Sequence, residues 1–296
     1  MNYKKQNYRQ YIPLLCIACV YICWLSLQGV HSAFANFMSQ ISIAITMVFG
    51  SFVAGGTALG GGAVAFPVMT KVLSIEPATA KVFSLAIQSF GMTAASITII
   101  FGGIKYYRSV VLLALMGALP GVAISLLFIA DLVPRLVTKS LFSVFLLIFA
   151  VTLLRAHWHG KERLTIDLTY KRQNFFVVLV AFLGGIVSGL IGSGADIAIF
   201  ALLMLYFKAD LKIATASSVL IMATTSVFAS LINYFYLETI TPEISEFVLA
   251  AIPVVVVGAP LGAYCCAKVP KSVLLSFLLT LIGLEIGFTL FEVASV

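Results

Sequence analysis

Two clusters of glycine interrupt otherwise apolar sequence, and they are where chemistry is most readily placed. The first reads Gly55-Gly56-Thr57-Ala58-Leu59-Gly60-Gly61-Gly62 and the second Gly189-Leu190-Ile191-Gly192-Ser193-Gly194-Ala195-Asp196. Each glycine costs a helix about 1 kcal/mol relative to alanine, so both clusters read as breaks. In hydrocarbon, amides freed by a break cost several kcal/mol unless something satisfies them. A break at membrane depth therefore implies a protein-lined or wet cavity. The helix that follows points amide donors and a positive dipole end into that cavity, which suits an anion. Thr57, Gly60, Gly61, Gly62, Gly192, Ser193 and Gly194 are the candidate contacts on the two breaks. Ser84 and Gln88 lie one helical turn apart, as do Thr215 and Ser218, with Ser217 adjacent. Their hydroxyls and amide suit oxyanion oxygens without fixed charge, although hydroxyls also bond back to their own helix. Asp196 is the acid beside a break. An ionised acid at the bilayer centre costs at least ~2.5 kcal/mol on insertion scales. It reads either as a coupling group that takes up a proton or pairs with a cation, or as a cap on the following half-helix.

The remaining chemistry is sparse. Neither cluster is followed by the lysine and Ser/Thr of a phosphate-binding loop, so an ATPase is not indicated. No convergent His, Cys or acid group suggests a catalytic centre, a cofactor or a metal. Cys16, Cys19 and Cys23 share one side of the first apolar segment without a His or acid beside them and read as ordinary packing.

The elements that must position these residues are membrane spans. Of the 296 residues 61% are hydrophobic and only 10% charged, with a mean hydropathy of +1.12. A soluble domain carries about 25% charged residues, so this material cannot make a water-facing surface. Apolar runs near the ~20 residues needed to cross a bilayer fall at 11–30, 79–101, 109–131, 136–155, 211–236, 244–267 and 270–292. Two longer stretches, 40–74 and 174–207, contain the glycine breaks. The net charge of +7 sits in short loops rather than in a stripe, which points to membrane orientation and away from nucleic acid. The first run is either a retained helix or a signal peptide cut near Ala33-Phe34-Ala35, and its length favours retention.

By the positive-inside rule, the segment before the first run and the loops 102–109, 155–173 and 268–271 belong in the cytoplasm. The stretch 238–246, with Glu238, Glu243 and Glu246 and no basic residue, belongs outside. It follows that 40–74 starts and ends outside while 174–207 starts and ends inside, so each is a hairpin of two short spans or of re-entrant half-helices. The same order of features occurs twice. Ala80, Ser84, Ile87, Ala95, Ser96 and Phe101 recur 134 positions on as Ala214, Ser218, Ile221, Ala229, Ser230 and Phe235. The pairs Gly117/Gly121 and Gly258/Gly262 also correspond, and read as close helix packing. The expected fold is an all-α integral membrane protein of two inverted repeats, each a glycine-broken helical hairpin plus three transmembrane helices. An N-terminal tail and extra helix occupy 1–39, the repeats 40–155 and 174–296, and a cytoplasmic loop 156–173.

Gly60-Gly61-Gly62 with Pro67 behind it, the echo at Gly192–Gly194, and the Ala/Thr/Ser-rich helix after each resemble the sulfite exporter TauE/SafE family over roughly residues 40–292. Gly60, Gly61, Gly62 and Pro67 match its first motif, Gly192 and Gly194 its second. The second copy departs from the pattern at Ser193 and Ala195, and has Ile199 or Phe200 where a proline would fall. The resemblance implies a permease for small anions such as sulfite, sulfonates or carboxylates; gradient-coupled secondary transport is the expectation, and an uncoupled channel of the same fold the alternative. A membrane-embedded enzyme or a scaffold fits less well. The partners implied are a small anionic solute and the lipid bilayer, in a bacterial inner membrane, with self-association left open.

Overall fold

A computed structural model describes residues 11–60, 65, 68–134 and 170–277, with 144, 147, 148, 150–152, 154, 155, 163–166, 168, 279, 280 and 283. Gly61, Gly62 and Pro67, most of the expected span 136–155 and most of 278–292 lie outside the described residues. Within them the chain is helical, apart from one isolated bridge between Arg163 and Ala209. The α-helices are α1 (Ile12–Gln28), α2 (Val30–Ser39), α3 (Ile41–Gly56), α4 (Pro77–Phe101), α5 (Arg108–Ile124), α6 (Lys171–Ile191), α7 (Ala195–Leu205), α8 (Leu211–Phe235) and α9 (Pro242–Lys268). Helices α4, α6, α8 and α9, and α5 with its π-helical extension to Ile129, are each long and apolar enough to cross a membrane. The protein is a multi-pass membrane protein.

The N-terminal region differs from the single helix expected within 1–39. Gly29 adopts φ 76° and ends the α1 ladder, and the chain leaves it as a second helix, α2, turned by 96°. Helix α1 is fastened to α9 at a backbone defect. Pro253 has no N–H to give the carbonyl one turn earlier, and Trp24 Nε1 donates to that carbonyl, Leu249 O, at 2.7 Å. Tyr21 Oη donates to Pro253 O at 2.5 Å.

Small residues bring the other helices together. Helix α5 packs on α6 and α3 on α9. A Cβ at Gly117 or Gly121 would collide with the Val178 or Phe182 carbonyl, and one at Gly262 with that of Phe52. The packing reading of these glycines holds. Gly55 and Gly56 belong to the same interface, against Ala259 and Gly262, so the first break starts at Thr57 rather than at its first glycine. At the centre, α4 and α8, each 25 residues long, pack against one another.

The basic loops converge at one end. Tyr107 Oη donates to Arg163 O at 2.6 Å, the Arg163 amide to Lys208 O at 2.8 Å, and the Asp210 amide to Arg163 O at 3.1 Å. Lys271 Nζ pairs with Asp210 Oδ2 at 2.6 Å. At the start of α9, the far end of that 27-residue helix, Asn36 Nδ2 donates to Glu246 O at 3.1 Å.

Candidate functional site

Helix α6 ends at Gly192, whose left-handed φ of 86° lets its amide close on Ser188 O at 2.8 Å. After Ser193 and Gly194, α7 begins at Ala195 and runs back. The Phe176 and Tyr206 rings, near the start of α6 and just past the end of α7, lie 5.6 Å apart, so the pair is a hairpin. Eleven residues of α7 rise about 16 Å, roughly half the ~30 Å hydrocarbon core. The hairpin tip is therefore deep in the protein. It is not a pair of equal half-helices: α6, at 21 residues, is long enough to cross, and only α7 is short.

The first break approaches from the end of α3. After α3, the Leu59 amide donates to Thr57 Oγ1 at 3.2 Å, a local turn that serine and threonine favour, and Gly60 takes φ 68°. The two tips touch: Ser193 Oγ reaches Leu59 O at 3.4 Å. Thr57, Ser84, Gln88, Ser193 and Asp196 all surround this meeting point or its supports with 2% exposure or less.

Around Gly60 the contacts are oxygens. A Cβ there would lie 3.0 Å from Gln88 Oε1, 3.2 Å from Asp196 Oδ2 and 3.3 Å from Ser193 Oγ. Gln88 bridges the halves, its Nε2 donating to Ser84 Oγ at 2.7 Å and Ser84 O at 3.0 Å, and reaching Gly192 O at 3.4 Å. Ser193 Oγ is 3.2 Å from both Asp196 carboxylate oxygens. The Gly194 amide donates to Asp196 Oδ1 at 2.9 Å, and the Ala195 amide to Ser188 Oγ at 2.8 Å. The Asp196 carboxylate, in the first turn of α7, thus turns back to accept the amide of Gly194, the residue that precedes the helix. Ser188 was not among the sequence candidates; nothing in its spacing marks it, because the turn that aims it at α7 is formed by Gly192.

The hydroxyls of α8 are not drawn into this group by any described hydrogen bond. Thr215 Oγ1 donates to Leu211 O and Ser218 Oγ to Thr215 O, the back-bonding that such residues readily adopt in helices. Ser217 donates to Ile213 O and accepts from the Tyr107 amide at 2.8 Å, which fastens the connection before α5. Beside Gln88 a small hollow opens among α3, α4 and α9, lined by Met47, Ser51, Ala54, Ile87, Gly91, Met92, Val255 and Ala259 as well as Gln88 itself. Among the described residues no group of three or more His, Cys, Asp or Glu forms a metal site.

No curated protein and no solved structure matches the chain. A family model, described as sulfite exporter TauE/SafE, matches residues 43–287, which takes in both glycine turns, Gln88, Asp196 and every helix that packs around them. This chain belongs to the sulfite exporter TauE/SafE family, and so to a family of membrane transporters.

Proposed function

We propose that the protein is a gradient-coupled permease for a small anion, namely sulfite, an organosulfonate or a related carboxylate. The observation that carries the reading is the meeting of two turns, one from each half, at the buried Ser193–Leu59 contact. Transport through such an arrangement follows if 40–155 and 174–296 are inverted repeats about that point. Gly60 and Gly192, 132 positions apart, share a positive φ. Helices α4 and α8, 134 positions apart, share a length. Helices α5 and α9 each pack through glycines on the helix that leads into a turn. The segment 1–39 precedes the repeats, and 156–173 joins them on the basic, cytoplasmic side of a bacterial inner membrane.

The anion contacts the turns through Gly60, Gly192, Ser193 and Gly194, with Thr57, Ser84 and Gln88 beside them; Gly61, Gly62 and Pro67 complete the proposed set. Thr215, Ser217 and Ser218 line the route on α8. The amides of Gly194 and Ala195, at the start of α7, already serve Asp196 and Ser188, so the passenger displaces the Asp196 carboxylate from the Gly194 amide. This competition makes Asp196 the coupling group, because an incoming cation and the outgoing contact act on the same carboxylate.

Purified protein in liposomes is expected to carry labelled sulfite, sulfonates or dicarboxylates at rates that respond to an imposed ion gradient. Flux of none of these, at any pH or potential, overturns the permease reading. Flux indifferent to every ion gradient overturns the coupling alone.

A further inference from the structure

The oxygens gathered at Gly60 outnumber the hydrogens available to them. Ser193 has one hydroxyl proton, yet three acceptors lie at long hydrogen-bond distance from it: Leu59 O at 3.4 Å and the two Asp196 oxygens at 3.2 Å. Gln88 cannot relieve the excess. Its Nε2 faces two carbonyls, Ser84 O and Gly192 O, which fixes the amide with Oε1 on the opposite side, towards Gly60. That Oε1 is buried and has no hydrogen-bond partner among the described residues. Asp196 itself is 1% exposed, and its hydrogen bonds come from Ser193 and backbone amides rather than from a basic side chain. Buried acceptors and a buried carboxylate without a counter-charge are both costly.

We infer that Gln88 Oε1, Asp196 Oδ2, Ser193 Oγ and the Leu59 carbonyl form a binding site for a sodium ion beside Gly60. The inference rests on the reading of Asp196 as the coupling group and names the ion. One carboxylate and three neutral oxygens balance a single positive charge; a divalent ion would leave a charge uncompensated in a dry site. The spacing selects the size. Ser193 Oγ lies 3.4 Å from Leu59 O and 3.2 Å from Asp196 Oδ2, which corresponds, in octahedral geometry, to metal–oxygen distances of about 2.3–2.4 Å, the range of hard oxygen-bound cations. A potassium ion requires the oxygens to spread. Unwound carbonyls and helix ends serve as cation ligands in broken-helix transporters generally, and Leu59 O lies in such an unwound turn. The missing Cβ of Gly60 leaves room for the ion, with Gln88 Oε1, Asp196 Oδ2 and Ser193 Oγ all within 3.3 Å of the position a Cβ would take.

The test is equilibrium binding of ²²Na⁺ to the purified full chain in detergent, with no anion present. The expected result is saturable binding of one ion per chain, displaced by unlabelled Na⁺ but not by K⁺ or choline. Asp196→Asn and Gln88→Leu are expected to weaken it by about 10-fold or more. Ser193→Ala, the mildest change, is expected to weaken it while the thermal transition stays near that of the native protein, which separates a lost ligand from a lost fold. Absence of saturable binding, or binding unchanged in Asp196→Asn and Ser193→Ala, overturns the sodium site. Anion flux driven by a pH gradient alongside absent sodium binding overturns it too, while the permease reading survives.

Discussion

Gly60 and Gly192 adopt the same backbone conformation in different surroundings, and the difference separates structure from function. Both have φ in the left-handed region, 68° and 86°, where a side chain costs about 1–2 kcal/mol. Around Gly192 nothing lies closer to a Cβ position than 3.7 Å, whereas Gly60 faces three oxygens at 3.0–3.3 Å. Gly60→Ala and Gly192→Ala are therefore expected to lower stability by similar amounts, about 1–2 kcal/mol each, read from thermal unfolding of the purified protein. Only Gly60→Ala also pushes Gln88, Asp196 and Ser193 apart, and its flux is expected to fall about 10-fold or more below that of Gly192→Ala. Equal flux in the two variants would remove Gly60 from the site. At this scale much was legible from the residues alone. The glycine turns, the Ser84–Gln88 pair and Asp196 all announced themselves by type and spacing. Ser188, and the α8 hydroxyls that bond inward to their own helix, did not, because one residue's rotamer decides between a cavity and the preceding turn.

Helices α1 and α9 illustrate how an element's defect is repaired by a neighbour. Pro253 leaves Leu249 O without its helical donor, and Trp24 supplies one across the interface. Trp24→Phe keeps most of the ring's bulk but strands that carbonyl, at a cost of about 1–3 kcal/mol. Pro253→Ala restores an N–H at the position that normally serves Leu249 O. The double variant Trp24→Phe/Pro253→Ala is thus expected to be more stable than Trp24→Phe alone, and a thermal-unfolding double-mutant cycle measures the coupling. Additive losses would show that the indole hydrogen bond contributes nothing at this site. The proline was plain in the sequence; the tryptophan that answers it was not, since a pairing 225 positions apart depends on how α1 docks. Gly29 was similarly opaque. A lone glycine between two apolar runs is compatible with a straight helix until the backbone is seen to turn there.

Across the whole molecule, the arrangement of ends follows from charges that no single helix explains. Loops at 102–109, 155–173, 208–212 and 268–271 were assigned to one side by their lysines and arginines or by the parity they impose. The Tyr107–Arg163–Asp210–Lys271 cluster joins residues from all four. The charge rule could give a side to each loop but not the hydrogen bonds between them, because those depend on backbone atoms such as Arg163 O and Lys208 O, whose positions sequence periodicity does not encode. Once the four loops share an end, α9 carries the chain from Glu243 at one surface to Lys268 at the other, and the α6–α7 hairpin enters and leaves on the basic side. The Asn36–Glu246 hydrogen bond brings the approach to α3 to the opposite end, as the proposed inverted repeats require for the two glycine turns to meet from opposite directions. Single cysteines placed at Lys105, Arg163, Lys208 and Ser272, in a background lacking the five native cysteines, are expected to react with an impermeant maleimide only from the cytoplasmic side of oriented vesicles. Cysteines at Glu238, Glu243 and Gln40 are expected to react only from the other. If Gln40 labels with the basic loops, both hairpins enter from one face, and an exchange of equivalent halves cannot alternate access to the turns however well they bind an anion.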